Sequence, residues 1–314
     1  MTGRVLKAKD SVLELGDQTL LMGIVNVTPD SFSDGGKYFA VEQAVEHALT
    51  LLDEGAHIID IGGESTRPDA VLVSEEEETA RIIPVIEGVL RAAPSAVISV
   101  DTWKSGVASA ALAAGAKIIN DITGLFGSKD MAAVIARQGA AAILMHNPLL
   151  YLPENKIRGK FPKFPTQAGL SLKLIEELRS LDLSAANILY LKTAIERALH
   201  AGIDPESIVI DPGLGFGIST ADSLSLLHSL KEMTELGCPL LIGASRKRFV
   251  KNLLIDYLDD QIDQDMIEDG TGAVTVYVIL NGADIVRVHD IRKQRNFVAI
   301  ADAIREHKAV IAGD

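Results

Sequence analysis

The sequence is poor in cysteine and has no long apolar run. Cys238 is the sole cysteine among 314 residues, so no disulfide can form within the chain and nothing indicates an oxidising compartment. No uninterrupted apolar span is long enough to cross a bilayer, and the N-terminal stretch lacks the apolar core of a secretory signal. These absences argue against a disulfide-stapled secreted protein and a membrane protein, and they predict a cytoplasmic location.

Positive charge is also in short supply. Lys and Arg number 30 against 43 Asp and Glu, which gives a formal net charge of −13. The resulting field repels nucleic acid and anionic membranes, so we expect neither as a partner. An anionic small substrate would need a local cluster of Arg, Lys and His. The hydrophobic fraction of 47% is ample for a packed core, which excludes disorder as the overall state.

Eight short apolar runs, rich in Val and Ile, alternate with longer stretches of helical periodicity. The predicted strands are residues 22–27, 57–62, 97–101, 117–121, 141–146, 208–211, 240–243 and 285–289. Predicted helices between them include residues 42–54, 75–90 and 105–114. Continuous hydrophobicity is typical of parallel strands buried on both faces. Eight such units predict an α/β fold, a (β/α)₈ TIM barrel, with an open doubly wound sheet as the alternative.

Three segments fall outside this repeat. Residues 5–6 and 12–15 flank Lys9 and Asp10, and they predict an N-terminal hairpin that covers the bottom of the barrel. Residues 149–184, rich in Pro and Lys, predict a long insertion after strand five, and residues 256–269 form an acidic run. We expect both to be surface insertions in a single domain that spans residues 1–314.

Polar residues stand at the carboxyl ends of the predicted strands, which converge on the catalytic mouth of a parallel barrel. They are Asn26, Glu64, Ser65, Thr66, Arg67, Asp101, Asn120, Asp121, His146, Asp211, Ser245, Arg246, Lys247, Arg287 and His289. Loops are polar in any protein, but many of these residues lie inside or directly at the end of apolar runs. An ionised carboxylate there is costly unless it is paired or faces a ligand. One such Asp would suggest a paired core residue, whereas polar residues at all eight strand ends predict a functional site.

This polar set divides by charge. The cationic group suits a phosphate or pyrophosphate and consists of Arg67, Lys247, Arg287 and His289. Asn26 could join it or ligate a divalent metal. The opposite group suits a planar heterocycle with an amidine-like donor edge and consists of Asp101, Asn120 and Asp211.

Glycine-containing loops follow three of the strands. The segment GLGFG, with Gly215 and Phe216, lacks the full spacing of a dinucleotide fingerprint, so its glycines are interpreted as letting the backbone approach a ligand. TPDSFSDGG after strand one and GGESTRP after strand two suit a mobile lid, with ordinary βα turns as the alternative. Cys238 and Trp103 are expected to pack in the core; ligand stacking is the second interpretation for Trp103.

The motifs NVTPDSFSDGG, IDIGGESTRP, SVDTWK, NDITG, DPGLGFG, GASRKRF and IVRVHD, in this order, closely resemble those of the dihydropteroate synthases of folate biosynthesis. The resemblance runs from about Met22 to the end of the chain. It implies a (β/α)₈ barrel, usually a homodimer and a sulfonamide target. The implied reaction joins 6-hydroxymethyl-7,8-dihydropterin pyrophosphate to 4-aminobenzoate, with release of pyrophosphate and use of Mg²⁺.

The resemblance also implies roles for individual residues. The pterin would contact Asp101, Asn120, Asp211, Lys247, Met145, Gly215 and Phe216. The pyrophosphate would lie against Asn26, Arg287 and His289 with Mg²⁺, while Thr66 and Arg67 act from the second loop. The aminobenzoate would lie among Phe32, Pro68, Ser245 and Lys247, and Asp34 in the first loop would face the cation left by pyrophosphate departure. The groups implied in the chemistry itself are Asp34, Arg67, Lys247, Arg287 and His289.

The chain departs from the family pattern at three places. The segment after His146 is longer than in many members and begins Asn147–Pro148, which affects the roof expected over the pterin near Met145. Ile218 stands where a Lys is common, so a cation near the pterin entrance is expected to be absent, and EDGT at 268–271 replaces a basic residue before the final helix. Two rival functions share the pterin contacts. A methylfolate–corrinoid methyltransferase has no need of the anion cluster, and a non-catalytic pterin-binding paralogue would have lost the lid or anion residues.

Overall fold

The computed structural model describes residues 4–28, 37–164, 169–258 and 261–306. The strands are β1 (Arg4–Ala8), β2 (Ser11–Leu15), β3 (Leu20–Asn26), β4 (Ile58–Gly62), β5 (Ile98–Asp101), β6 (Ile118–Asp121), β7 (Ala141–Met145), β8 (Ile208–Asp211), β9 (Leu241–Ile242) and β10 (Ile285–Val288). The helices are α1 (Lys37–Asp53), α2 (Glu75–Ala92), α3 (Ser105–Ala113), α4 (Met131–Gln138), α5 (Leu172–Ser180), α6 (Leu183–His200), α7 (Thr220–His228), α8 (Leu230–Thr234), α9 (Arg248–Leu258), α10 (Gln264–Leu280) and α11 (Ile291–Glu306).

Eight parallel strands form one sheet that closes on itself. Their order is β8-β7-β6-β5-β4-β3-β10-β9. A parallel bridge joins Ile210 of β8 to Leu240 beside β9, and the Ile210 amide donates to the Pro239 carbonyl at 2.9 Å. The fold is therefore the closed (β/α)₈ barrel, as predicted, and the open doubly wound sheet is excluded.

The predicted hairpin closes the floor of this barrel. Strands β1 and β2 pair in an antiparallel ladder, and Lys9 at its turn donates a backbone hydrogen bond to Gly139. Buried side chains of the hairpin pack against the residues with which the barrel strands begin. The members of this cluster are Leu6, Ala8, Leu15, Leu20, Met22, Ile58, Val97, Ile118, Ala141, Ile143, Val209, Leu241 and Ile285. The burial of this apolar surface fixes the hairpin to the barrel.

Local signals in the sequence account for where several helices begin. The Ser74 hydroxyl caps α2 by accepting from the Glu77 amide, and four glutamates occupy the first turn, where the helix dipole favours negative charge. The acidic run at 256–269 was expected to be a surface insertion. Instead, it contains the end of α9 and the start of α10, and Asp263 caps α10 through the Met266 amide.

The predicted insertion after β7 is an irregular segment followed by helix. Residues 149–164 contain two short 3₁₀ turns, whereas residues 172–184 already belong to α5 and the start of α6. No helix in the described part of the chain is long and apolar enough to span a membrane.

Candidate active site

The carboxyl ends of the barrel strands place the predicted polar residues around one mouth. The parallel register puts Asn26 of β3 beside Gly62 of β4, and Gly62 beside Asp101 of β5. Asp101 is in turn beside Asn120 of β6. On the other side of the mouth, Met145 of β7 is paired with Asp211 of β8. The two sets that the sequence separated by charge therefore share one site.

Arg287 connects these sets through two ion pairs. Its Nε atom donates to Asp60 Oδ2 at 2.6 Å, and its Nη2 atom donates to Asp101 Oδ2 at 3.0 Å. Nη1 takes part in neither pair. The guanidinium thus lies across the floor of the site, where its orientation is fixed by carboxylates from two strands.

Asp60 is the functional residue that the sequence analysis missed. It lies in the middle of β4 and is fully buried, and its Oδ2 atom also accepts from Asn120 Nδ2 at 3.1 Å. Asp60 Oδ1 has no hydrogen-bond partner among the described residues. Asp60 lies two residues inside the strand and not at the strand end, where functional residues were expected. A carboxylate within the apolar run IIDIG was the signal available.

The carboxyl groups of the mouth have raised pKa values. Burial raises the pKa of Asp101, although the Arg287 guanidinium opposes this effect and nearby Asp60 adds to it. Burial also raises the pKa of Asp211 to about 6, against the effect of a 2.7 Å hydrogen bond from the Gly213 amide. The cost of holding charge in a buried place is the common cause.

Lys247 stands over the opposite side of the mouth. Burial lowers its pKa, and the charge of Asp211 opposes that shift. Its Nζ atom lies 5.4 Å from the centre of the Phe216 ring, a cation–π contact. Gly215 has φ +72°, and a Cβ there would lie 3.2 Å from Lys247 Cδ. Glycine at this position therefore permits both the turn and the close passage of the lysine.

His289 is bound to Ser245 at the rim. The His289 amide donates to Ser245 Oγ at 3.2 Å, and the ring Nδ1 is 2.9 Å from the same oxygen. Burial lowers the pKa of His289 to about 3, and neighbouring arginines add to the shift. The sequence analysis placed His289 in the cationic group. In the free protein the imidazole is neutral at pH 7 and supplies a hydrogen bond rather than a charge.

Three of the polar residues singled out at strand ends hold the scaffold instead. Asp121 accepts from the amides of Thr123 and Leu125 and so fixes the turn after β6. His146 is fully buried, with its ring nitrogens against Asn187 and the Tyr151 hydroxyl. Asp121 and His146 both find their hydrogen-bond partners within the protein, so neither side chain indicates a ligand.

Glu64, within the GGESTRP loop, is the third and lies at the centre of a buried cluster. Lys104 Nζ donates to Glu64 Oε2 and to Glu78 Oε2, each at 2.6 Å, and to the Val73 carbonyl at 2.8 Å. Trp103 Nε1 donates to Glu64 Oε1 at 2.8 Å. We call Glu64, Glu78 and Lys104 the loop anchor, because they join Glu64 of the loop to Glu78 of α2 and to Lys104 at the start of α3.

The GGESTRP loop itself reaches the rim of the mouth. Thr66 is half-buried, and Arg67 and Pro68 are exposed. The charge of Arg67 contributes to the lowered pKa values of Lys247 and His289, which places it near both. Phe32 and Asp34, predicted in the first loop, lie outside the described residues.

Two of the departures from the family pattern have structural explanations. Ile218 is buried and belongs to the main apolar core, so a side chain at this position faces the core. Glu268 lies inside α10, where Oε1 accepts from Arg246 Nε at 2.5 Å. Cys238 is buried and Trp103 packs edge-on against Phe164, which agrees with the expected packing roles.

The donor set limits what metal the site can hold. Within the described ranges, no three or more His, Cys, Asp and Glu side chains are grouped to hold an ion. Asp60 and Asp101 already pair with Arg287. The Asn26 amide at the mouth can supply one oxygen, which fits an ion that keeps waters and substrate phosphates as its other ligands.

Comparison with known proteins gives consistent results. Residues 22–289 match the family model described as pterin binding enzyme. Dihydropteroate synthase from Bacillus subtilis (strain 168) is 40% identical over 301 residues, or 96% of this chain and 94% of that protein. Dihydropteroate synthase from Synechocystis sp. is also 40% identical, over 95% of this chain and 94% of that protein.

Solved structures are similar over the same length. Xanthomonas albilineans dihydropteroate synthase with 4-aminobenzoic acid has a TM-score of 0.81 at 38% identity, covering 97% of this chain and 99% of that one. The dihydropteroate synthase from the same organism in complex with 7,8-dihydropteroate has a TM-score of 0.77 at 35% identity, covering 96% and 98%.

Proposed function

The chain belongs to the pterin-binding enzymes and among them to the dihydropteroate synthases, and we propose that its mouth binds the two substrates of that reaction in adjoining subsites. The reaction condenses 6-hydroxymethyl-7,8-dihydropterin pyrophosphate with 4-aminobenzoate and releases pyrophosphate. The methyltransferase alternative is set aside, because the curated relatives are dihydropteroate synthases. The junction of both charge sets at Arg287 is the observation that supports adjoining subsites.

The pterin subsite is formed by the buried acceptors. We assign the donor edge of the pterin to Asp211 and Asn120, with Asp101 beside them and Met145 and Phe216 as apolar walls. Lys247 reaches across Phe216 to the ring edge. Carboxylates held in a low-dielectric site discriminate strongly in favour of a ligand with matching donors, because a mismatch leaves them unpaired.

The anion subsite lies above Arg287. Arg287 and Arg67 supply charge, while Ser245 and His289 supply neutral hydrogen-bonding groups. Departure of pyrophosphate leaves a cation that the electron-rich dihydropterin ring delocalises. These groups stabilise the leaving group, and Pro68, Phe32 and Ser245 hold the arylamine in line. A neutral arylamine is nucleophilic without a strong base, so the proposal needs no protein nucleophile; Asp34 is assigned to face the cation.

Release of pyrophosphate in the presence of both substrates tests the reaction. It is expected only when the pterin pyrophosphate and 4-aminobenzoate are supplied together. Pyrophosphate release without the arylamine, or methyl transfer from a methylfolate, would contradict the assignment. Binding of the pterin with no turnover would indicate the non-catalytic alternative.

Asp211→Asn tests the pterin subsite. The amide keeps the shape but replaces an acceptor with a donor, so pterin affinity should fall by about 1–3 kcal/mol. Because the pKa of Asp211 is about 6, its charge is present at pH 7.5 and is lost as the pH falls towards 5. Wild-type affinity, measured by calorimetry, should therefore weaken over this range, and the variant should lack the component centred near pH 6. An unchanged affinity would make Asp211 structural.

We further propose that Mg²⁺ enters with the pyrophosphate and is held by Asn26. When bound, it would neutralise charge on the leaving group. Turnover should fall sharply in excess chelator and recover with added Mg²⁺. Asn26→Ala should raise the Mg²⁺ concentration needed for half-maximal rate without changing pterin-ring affinity. Full activity in chelator would remove the metal from the mechanism.

Binding is expected to be ordered, with the pterin pyrophosphate first. Asp101, Asn120 and Asp211 stand on strand ends, whereas Arg67 and Pro68 stand on an exposed loop. Pyrophosphate held by Arg67 would complete the second subsite, which is positive coupling between sites. Calorimetry should detect tighter 4-aminobenzoate binding when pyrophosphate and Mg²⁺ are present, and Arg67→Ala should abolish the difference. Equal affinity in both titrations would exclude the order.

Two broader expectations belong to this proposal. We propose a homodimer, supported by exposed apolar side chains on α9 and α11, of which Tyr257, Ile300 and Ile304 are the most exposed. Sedimentation at micromolar concentration checks it.

We also propose a cytoplasmic enzyme, which the single buried cysteine supports.

A further inference from the structure

Residues 157–164, with the sequence IRGKFPKF, form a strap between two loops of the barrel mouth. The Arg158 amide donates to the Gly217 carbonyl at 2.7 Å, on the loop after β8. The Asp69 amide, on the GGESTRP loop after β4, donates to the Lys160 carbonyl at 2.7 Å. Backbone hydrogen bonds therefore join one segment of the insertion to two walls of the active site.

Side chains of the strap contact the same two walls. The Phe161 ring lies 5.8 Å from the Phe216 ring, centre to centre, with the planes tilted by 32°. A Cβ at Gly159 would lie 3.2 Å from Phe161 Cε2 and 3.4 Å from Pro68 Cγ, so the strap backbone passes close to that proline with little room for a larger side chain. Phe216 is the ring that Lys247 Nζ contacts. Pro68 is the proline assigned to the arylamine.

The strap also fixes the shape of the GGESTRP loop. Asp69 has φ +64°, a left-handed conformation that is uncommon outside glycine. Its amide hydrogen bond to Lys160 holds it in that state. Pro68 is the preceding residue, so its position depends on the strap being in place.

We infer that the strap is the outer wall of the 4-aminobenzoate subsite and that Phe161 sets the width of that subsite. This inference rests on the proposed function. Phe161 is a positioning residue: it holds the Phe216 ring from behind, while the strap backbone holds Pro68. The arylamine is a flat ring, and the separation of Phe216 and Pro68 decides how thick or how substituted a ring is accepted.

The charge of the strap agrees with an anionic second substrate. Arg158 and Lys160 are exposed, next to the mouth of a chain whose formal net charge is −13. Lys163, further along the strap, is paired with Glu154 at 2.9 Å. A local cationic rim favours approach of a carboxylate that the overall field would repel.

Phe161→Ala is the test variant. Loss of one aromatic pair should raise the KM for 4-aminobenzoate by roughly two- to tenfold, with little change in kcat or in pterin affinity. N-substituted or ring-substituted arylamines, excluded by a narrow subsite, should gain relative to 4-aminobenzoate. Phe161→Tyr keeps the ring and should restore wild-type values. Lys163→Ala, on the same strap but facing Glu154, is the matched control and should change none of them.

Trp103 supplies a second readout, because it is the sole tryptophan of the chain. Its ring packs at 84° and 6.0 Å against Phe164 at the end of the strap, and its Nε1 atom donates to Glu64 of the GGESTRP loop. Titration with 4-aminobenzoate, with pyrophosphate and Mg²⁺ present, should change its emission. Phe161→Ala should shift the midpoint of that titration to higher concentration by the same factor as the KM.

The possible outcomes distinguish a failure of the inference about the strap from a failure of the proposed reaction. Equal KM, equal arylamine selectivity and equal midpoints in wild type and Phe161→Ala would overturn the inference. So would parallel losses of kcat and pterin affinity, which would mean general disruption. If wild type releases no pyrophosphate, the proposed reaction fails, and the strap is then judged by the Trp103 titration alone.

Discussion

Arg287→Ala should reduce turnover by at least about a hundredfold, since one charged donor at a developing anion contributes about 10²–10³ in rate. The same change should lower the free energy of unfolding by about 3–5 kcal/mol. Arg287 is the charged partner of both Asp60 and Asp101, at 2.6 and 3.0 Å. Its removal leaves the fully buried Asp60 and the partly buried Asp101 without this arginine, and their repulsion adds to the cost of desolvation.

The pH dependence separates this explanation from a simple packing defect. Without Arg287, the carboxyl groups that it pairs with keep protons in the native state at pH values where the same groups of the unfolded chain are already ionised. The variant therefore loses stability as pH rises, so its deficit should be larger at pH 8 than at pH 5 in urea unfolding. Arg292→Ala, an exposed arginine at the start of α11, is the control. A deficit that does not vary with pH would contradict the stranded-charge account.

Lys104→Met is expected to have the second largest effect. Lys104 is almost fully buried between Glu64 and Glu78, and methionine keeps the length of the side chain without the charge. Breaking such a buried network leaves unpaired charge and should cost about 3–5 kcal/mol of folding stability. Because Glu64 and Glu78 hold the GGESTRP loop, the KM for 4-aminobenzoate should rise as well.

A double variant tests whether stranded charge is the cause. Burial already raises the pKa of Glu78. Lys104→Met with Glu78→Gln removes one of the two orphaned charges, and it should be more stable than Lys104→Met alone. Lys251→Met, an exposed lysine on α9, should leave the urea midpoint unchanged. A double variant less stable than the single one would show that the loop anchor acts through packing instead.

The barrel was predictable because its strands are buried on both faces. Runs such as IIDIG and AAILM are continuous in hydrophobicity, and the structure places every residue of β4 and β7 in the interior. The strand ends were predicted to within two residues for the same reason. The hairpin was predictable from its two short apolar runs around Lys9 and Asp10.

The site was predictable only in part. Residues at strand ends, such as Asp101 and Asp211, could be identified because the architecture directs them to one mouth. Asp60 stood out only as a carboxylate inside the apolar run IIDIG; its pairing with Arg287, 227 positions away, could not be predicted from one sequence. His146 was predicted among the functional strand-end residues, but its ring nitrogens have partners within the protein. Its partners are Tyr151 on the insertion and Asn187 on α6. These hydrogen bonds depend on the tertiary fold, so the local sequence does not predict them.

The hairpin beneath the strands has a consequence for traffic through the enzyme. With β1 and β2 packed across the floor, the substrates and products of the proposed reaction would share the mouth at the other end of the barrel. With the subsites filled as proposed, the heterocyclic end of the product would be seated deepest and the benzoate end nearest the rim, so the benzoate end would emerge first. Pyrophosphate bound beside the same mouth would have to leave before a new heterocycle could enter. The hairpin at the far end of the molecule would therefore make entry and release compete for one shared mouth.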